Sequence, residues 1–383
     1  DKYGDERRTE IIPDEHEFNA EDFYPNDPVV ITISHLGYIK RTPLADFKEQ
    51  ARGGVGSKGA RTRDNDFTEF IYPATMHQTM LFFTRKGRCY WMKCYDIPEG
   101  DRNSKGRAIQ NMLALEADDS VNAFLRIRGL DDDEFLDSHN VVFVTKQGIV
   151  KKTSLRAYSR PRTNGVLAIN IKEGDEVVDV RLTNGQNELI IADRNGRACR
   201  FNEKHIRVMG RVSTGVRGMR LDDDGQDEVV GMIVVNDPEN ETVMVVSEEG
   251  YGKRSMVEDY RLTNRGGKGV KTLNITEKTG KLVAIKSVTD ENDLMIINKS
   301  GVVIRMSVAE CRVMGRATQG VRLINLTKKN DVIASVCKVM SSELEEQVEE
   351  ESRAQWAKKT ENIKNTFSGE DKQTEPDNED EQE

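Results

Sequence analysis

The stretch EQARGGVGSKGARTRD, Glu49 to Asp64, sets Gly53, Gly54, Gly56 and Gly59 among Arg52, Lys58 and Arg61. These residue types suit one kind of chemistry. Glycine lets a backbone come close to an anion, and arginine and lysine neutralise phosphate oxygens. GVGSKG fits the G-x-G-x-x-G dinucleotide pattern, but no apolar helical pattern follows it. GGKGV, further along, lacks the Ser or Thr that must follow the lysine of a P-loop. A nucleotide cradle is therefore not expected here, and a phosphate backbone is the better partner.

The same chemistry recurs along the chain. Six β-rich runs each turn at a glycine: Gly37, Gly87, Gly148, Gly196, Gly250 and Gly301, spaced by 50, 61, 48, 54 and 51 residues. Each reads as a strand, a tight hairpin and a basic strand, followed by two more strands joined by a polar turn. A period near fifty in an all-β chain predicts a propeller-like ring of six four-stranded blades. The longest spacing holds GLDDDEFLDSH, Gly129 to His139, which reads as a polar loop inserted between the second and third blades.

Cations fall at fixed offsets from these glycines. Four residues after the hairpin glycine stand Arg41, Trp91, Lys152, Arg200, Arg254 and Arg305, with Lys40, Lys93, Lys151 and Lys253 on the same strands. A second glycine follows at Gly56, Gly106, Gly165, Gly215, Gly269 and Gly320, preceded by Arg52, Arg102, Arg162, Arg211, Arg265 and Arg316, with Lys105 and Lys268 nearby. On a ring, equivalent positions share a height, so these residues predict a cationic belt around the rim that binds duplex DNA by its phosphates.

The overall charge of -9 hides this basic body. Residues 1–28 carry -7 and residues 340–383 carry -10, which leaves +8 between them. The expected organisation is an acidic linker over 1–28, the ring over 29–339 and an acidic tail over 340–383, helical at first and disordered after Phe367. Cys89, Cys94, Cys199, Cys311 and Cys337 are odd in number and scattered, so neither a disulfide framework nor a zinc site is expected, and a reducing cytoplasm fits. No apolar run is long enough to span a membrane, and Asp222-Asp223-Asp224 reads as a solvated turn rather than a metal site.

LGYIKRTPLADF, GVRGMRL, EEGYGKRS and VMGRATQGVRLINL together make the region from Val29 to Val339 resemble the C-terminal domain of the DNA gyrase A subunit, from the bacterial type IIA topoisomerases. The resemblance implies a six-bladed β-pinwheel whose neighbouring blades exchange a strand. It implies a chromosome-associated module that wraps DNA around its rim to support ATP-dependent negative supercoiling. The implied partners are double-stranded DNA, the gyrase A N-terminal domain and the gyrase B subunit. The family's hallmark heptad, Q-R-R-G-G-K/R-G, reads here Gln50-Ala51-Arg52-Gly53-Gly54-Val55-Gly56, so two cationic positions are lost and Lys58 and Arg61 are expected to replace them. The fifth-blade loop TNRGGKG keeps Arg265 and Lys268 and is the alternative wrapping loop. Cleavage in the family uses a tyrosine after an arginine, and none of the nine tyrosines here has that neighbour. The fragment is therefore expected neither to cut DNA nor to hydrolyse ATP and to need no cofactor, ATP and Mg2+ being used elsewhere in the enzyme. The alternatives are a topoisomerase IV C-terminal domain that binds DNA with little wrapping, and a propeller-type protein-interaction module.

Overall fold

The computed structural model describes residues 20–34, 36–43, 68–101, 104–222, 225–300, 303–326 and 331–340. The stretches 44–67 and 341–383, which hold the first-blade glycine loop and the acidic tail, lie outside them.

The third repeat shows how one blade is built. Asn140–Thr145 and Ile149–Ser154 form the hairpin predicted around Gly148, whose φ is +79°. Val177–Thr183 pairs antiparallel on the inner side of Asn140–Thr145. The outer edge is Val216–Arg217, which pairs with Val150 and Ile149 but comes from the next repeat. The first five sheets share this order, with outer strands at Arg107–Ala108, Val166–Leu167, Val216–Arg217, Val270–Lys271 and Val321–Arg322. Each of these five blades is thus finished by the repeat that follows it, as the resemblance implied. The sixth sheet has three described strands.

Strands with one buried face alternate apolar and polar residues, whereas strands buried on both faces run continuously apolar. The second strands here are of the latter kind: Thr242–Ser247 is buried at every position. The reason is that the cores lie between blades rather than within them. Val141 and Phe143 pack toward Leu81 and Phe83 of the second blade, while Val142 and Val144 pack toward Leu189 and Ile191 of the fourth. Alternation along one strand therefore serves two cores at once. Among the described residues the seam between the sixth and first blades has the smallest buried cluster, with Ile297 and Cys337 against Val30.

From the second repeat on, the second glycine permits the strand exchange. Gly215 has a φ of +105°, and a Cβ there would stand 2.5 Å from the Val150 carbonyl of the neighbouring blade. The loop must approach that close for Val216 and Arg217 to pair. Gly215→Ala is expected to destabilise the chain by more than the roughly 1–2 kcal/mol of a left-handed L-residue alone, because the clash is with backbone. A melting temperature equal to that of the parent would show that the loop has room to move.

The polar insertion between the second and third blades differs from expectation. Asp133–Ser138 is a short helix, capped by Asp132 accepting from the Phe135 N–H at 2.9 Å. Its buried Leu136 and the pairing of Arg156 with Asp133 and Asp137 tie it to the third blade. The acid-rich composition masked a capping signal, an Asp three residues ahead of an apolar position.

Candidate nucleic-acid interface

The cations at the fixed strand offset face inward, not onto a rim. Lys152 is buried and donates to the Glu203 carbonyl at 2.9 Å, with the Glu203 carboxylate at 3.5 Å. Arg200 donates to the Val257 and Tyr260 carbonyls at 2.8 and 3.0 Å and to Glu188 at 2.7 Å. Buried Arg254 reaches the Cys311 carbonyl and Asp290. The carbonyl acceptors lie in, or just after, the 3-10 turns Glu203–His205, Val257–Asp259 and Val308–Glu310 of the following repeat. In the second blade Trp91 stands at this offset, and its indole N–H donates to the Tyr158 carbonyl at 2.9 Å. The position therefore demands a long donor that pins the next repeat, and a charge only when arginine or lysine supplies it. Arg41 and Arg305 are engaged with Glu99 at 3.2 Å and Asp293 at 2.7 Å, and Lys93 with Glu21.

The lysine one residue earlier has a parallel task. Lys40 donates to the Asp101 and Ser104 carbonyls at 3.0 and 2.9 Å, Lys253 to the Gly315 carbonyl at 2.6 Å, and Lys151 to the Ala168 and Arg211 carbonyls. All three are buried. Burial pulls Lys151 down to about 7 and Lys253 to about 8, and the nearby Arg211 and Arg316 guanidinium groups add to the depression. These side chains hold the glycine loops from beneath and cannot reach a phosphate outside.

The loop arginines sit halfway. Arg265 donates to the His205 and Arg217 carbonyls at 3.0 and 2.9 Å, and Arg316 to the Lys271 carbonyl at 3.0 Å. Arg211 is half-buried, and Lys105 lies 5.0 Å over the Tyr38 ring. Lys268 is exposed but pairs with Asp222 at 3.1 Å. Arg162 is exposed. Gln50, Ala51, Arg52, Gly53, Gly54, Val55, Gly56, Lys58, Arg61 and Arg102 lie outside the described residues.

The exposed positive charge comes instead from positions the repeat pattern did not single out. Arg207, Arg261 and Arg312, eight residues before the second glycine, are exposed. The residue after each forms a parallel bridge to the strand cation beneath: Val208 to Lys152, Leu262 to Arg200 and Val313 to Arg254. The bridges place this row on the outer edges of the third, fourth and fifth blades. A second row, Arg217, Lys271 and Arg322, occupies the outer strands of the same three blades, again exposed. None of the six is paired with a carboxylate among the described residues, though Lys271 meets the Asn274 amide oxygen at 3.3 Å and Arg322 the Tyr251 hydroxyl at 3.0 Å. Two rows over three consecutive edges make a cationic arc. The five cysteines are all buried and unbridged.

A ring of six blades in which every described outer strand is lent by the next repeat is a strand-exchanged β-propeller, here carrying a cationic outer arc. The chain belongs to the family of DNA gyrase C-terminal domains, whose β-propeller model matches residues 28–74, 78–128, 139–184, 187–236, 241–289 and 292–337, one segment per blade. It is 44% identical over 354 residues to the DNA gyrase A subunit of Staphylococcus aureus strain MRSA252, and 43% identical over 353 residues to that of strain NCTC 8325. Both alignments cover 92% of this chain but only 39% of the relative, so the chain spans about two fifths of the length of the curated relatives it matches. A solved DNA gyrase A C-terminal domain superposes with a TM-score of 0.71 at 22% identity, over 82% of this chain and 100% of that one. A topoisomerase IV C-terminal domain gives 0.65 at 24% identity, over 83% and 94%. Among the described residues no helix is long and apolar enough to cross a membrane.

Proposed function

We propose that the chain is the DNA-wrapping part of a gyrase A subunit, acting on chromosomal DNA in the bacterial cytoplasm together with the breakage-reunion portion of that polypeptide and the ATP-hydrolysing B subunit. The observation that carries this is the pair of exposed cation rows on consecutive blade edges. Phosphates are met by charges that the fold has already spaced around a curve. Smooth bending of a 20–30 bp site by 40–90° costs roughly 1–6 kcal/mol, and contacts on several successive edges offset it. The glycine loop Gln50 to Gly59, with Arg52, Lys58 and Arg61, extends this contact, and the fifth-blade loop Arg265 to Gly269 is its alternative. The chain itself supplies affinity and curvature rather than bond chemistry.

Relaxing a plasmid with a nicking-closing enzyme in the presence of the chain is expected to trap a change in linking number. No change at saturating protein defeats the wrapping claim. The loss of cations at Ala51 and Val55 favours a second reading, in which the domain binds DNA with little wrapping in the manner of topoisomerase IV. That reading requires tight DNA binding with an unchanged linking number. Replacing Gln50 to Gly59 by alanine is expected to abolish the topological change while most DNA affinity remains. Retained wrapping transfers the role to the fifth-blade loop.

A further inference from the structure

The six inner strands, one from each blade, enclose an axial cavity of about 1010 Å3. Four cations line it: Arg126, Arg181, Lys286 and Lys338, from the second, third, fifth and sixth blades. Their heights match. Arg181 stands opposite Val142 and Lys286 opposite Met244, each six residues before its hairpin glycine. Arg126 stands opposite Met80 and Lys338 opposite Leu294, each seven before. Four positive charges from four blades thus converge on two adjacent levels of one axis.

Little within the protein answers them. The carboxylates lining the cavity are Glu176 and Asp179. Glu176 is engaged by Lys146 at 3.5 Å, and Asp179 accepts from Arg181 at 2.9 Å and from the Met232 N–H at 3.3 Å. Arg181 also donates to the Met232 carbonyl at 3.3 Å, and Arg126 to the Pro73 carbonyl. Lys286 and Lys338 have no hydrogen-bond acceptor among the described residues. Burial depresses both; Arg181 repels each and Lys286 repels Lys338, while Glu241 partly offsets the depression at Lys338 and Asp179 that at Lys286. Arg126 and Lys338 are exposed whereas Arg181 and Lys286 are half-buried, and gathering like charges at one axis is unfavourable unless water or a counter-ion compensates them. Ammonium and guanidinium groups converging from several sides match a multivalent oxyanion, and the volume exceeds that of a single phosphate.

We infer that the axial cavity is a binding site for a small multivalent phosphate compound of pyrophosphate size, held chiefly by Arg181, Lys286 and Lys338. The site is separate from the outer edges that carry the DNA-facing cations. It stands whether or not the chain wraps DNA.

Calorimetric titration of the 383-residue chain with inorganic pyrophosphate at fixed ionic strength tests this. One saturable site is expected. Lys286→Gln with Lys338→Gln should weaken it at least tenfold, whereas Lys286→Arg should retain it. A variant neutralised at Arg207, Arg261 and Arg312 should bind as the parent does. Pyrophosphate should raise the melting temperature of the parent and not that of the axial double variant, since a ligand stabilises only the fold that binds it. Lys338→Gln alone, at an accessible position, gives the same comparison should the double variant fail to fold. The inference is overturned by no saturable binding at millimolar pyrophosphate, by unchanged affinity in the axial variants, or by loss of binding in the outer-edge variant.

Discussion

Neutralising Arg207, Arg217, Arg261, Lys271, Arg312 and Arg322 together with glutamine should flatten the salt dependence of DNA binding. Each B-DNA phosphate that is no longer neutralised removes about 0.9 from the slope of log K against log salt, so six of them lower it by about 5. In low salt the affinity should fall by orders of magnitude, and linking-number changes should vanish. All six side chains are exposed, so the variant should keep its fold and melt near the parent. Binding measured by fluorescence anisotropy at several salt concentrations reads the slope directly. A slope that stays with the parent would place the DNA elsewhere on the ring. Lys40→Met, Lys151→Met and Lys253→Met form the contrasting set. They should lower stability and leave the slope unchanged in molecules that fold, because their ammonium groups are tied to carbonyls inside.

Removal of one buried carboxylate should have the largest effect on stability. Glu203 is fully buried, accepts from the Thr183 hydroxyl at 2.8 Å and the Asn187 N–H at 2.9 Å, and lies 3.5 Å from the Lys152 ammonium. It joins the third and fourth blades at the point where Lys152 grips the next repeat. Glu203→Ala strands the Lys152 charge and two donors in the interior, and breaking a buried pair from one side costs about 3–5 kcal/mol. Glu203→Gln keeps one acceptor oxygen for the Asn187 N–H and places an amide NH2 against the Thr183 hydroxyl, which can turn to accept from it, but loses the charge, and should fall between parent and alanine variant. Adding Lys152→Met to Glu203→Ala should recover part of the loss, since the stranded ammonium is then gone. Urea denaturation of the four proteins checks the order. If the Ala variant unfolds at the parent's midpoint, water reaches Lys152 and the pair is not a stability element.

The architecture was legible because it repeats. One hairpin with a glycine at its tip is a weak signal, but six in register fixed the blade count, and the five described turn glycines, Gly37 to Gly250, stand at the turns. The interface was less legible. Periodicity shows that a position matters but not which way it points, and the most regular cations proved to be internal clamps. Trp91 held the clue: an indole shares with arginine a long reach and an N–H donor, not a charge. The exposed cations escaped notice because the second and third repeats lack them: Pro98 and Ala108, and Ala157 and Leu167, stand at the same offsets. Glu99 of the second repeat forms the same bridge that Val208, Leu262 and Val313 form in later ones. Partial repetition reads as noise in a sequence and becomes an arc only once the strand exchange shows which edges are consecutive.

The borrowed outer strand also bears on how the chain is made. The hairpin of the first blade ends at Pro43, but the strand that covers its edge is Arg107–Ala108, some 64 residues later. At synthesis rates of about 5–20 residues per second, that edge waits roughly 3–13 seconds for its partner to leave the ribosome. Every described blade down to the fifth inherits a similar delay. An open strand edge is a template for pairing with another chain, so the nascent ring passes through a series of intervals in which a neighbouring nascent copy could lend its strand instead. Slow translation should therefore favour interlinked dimers over closed monomers.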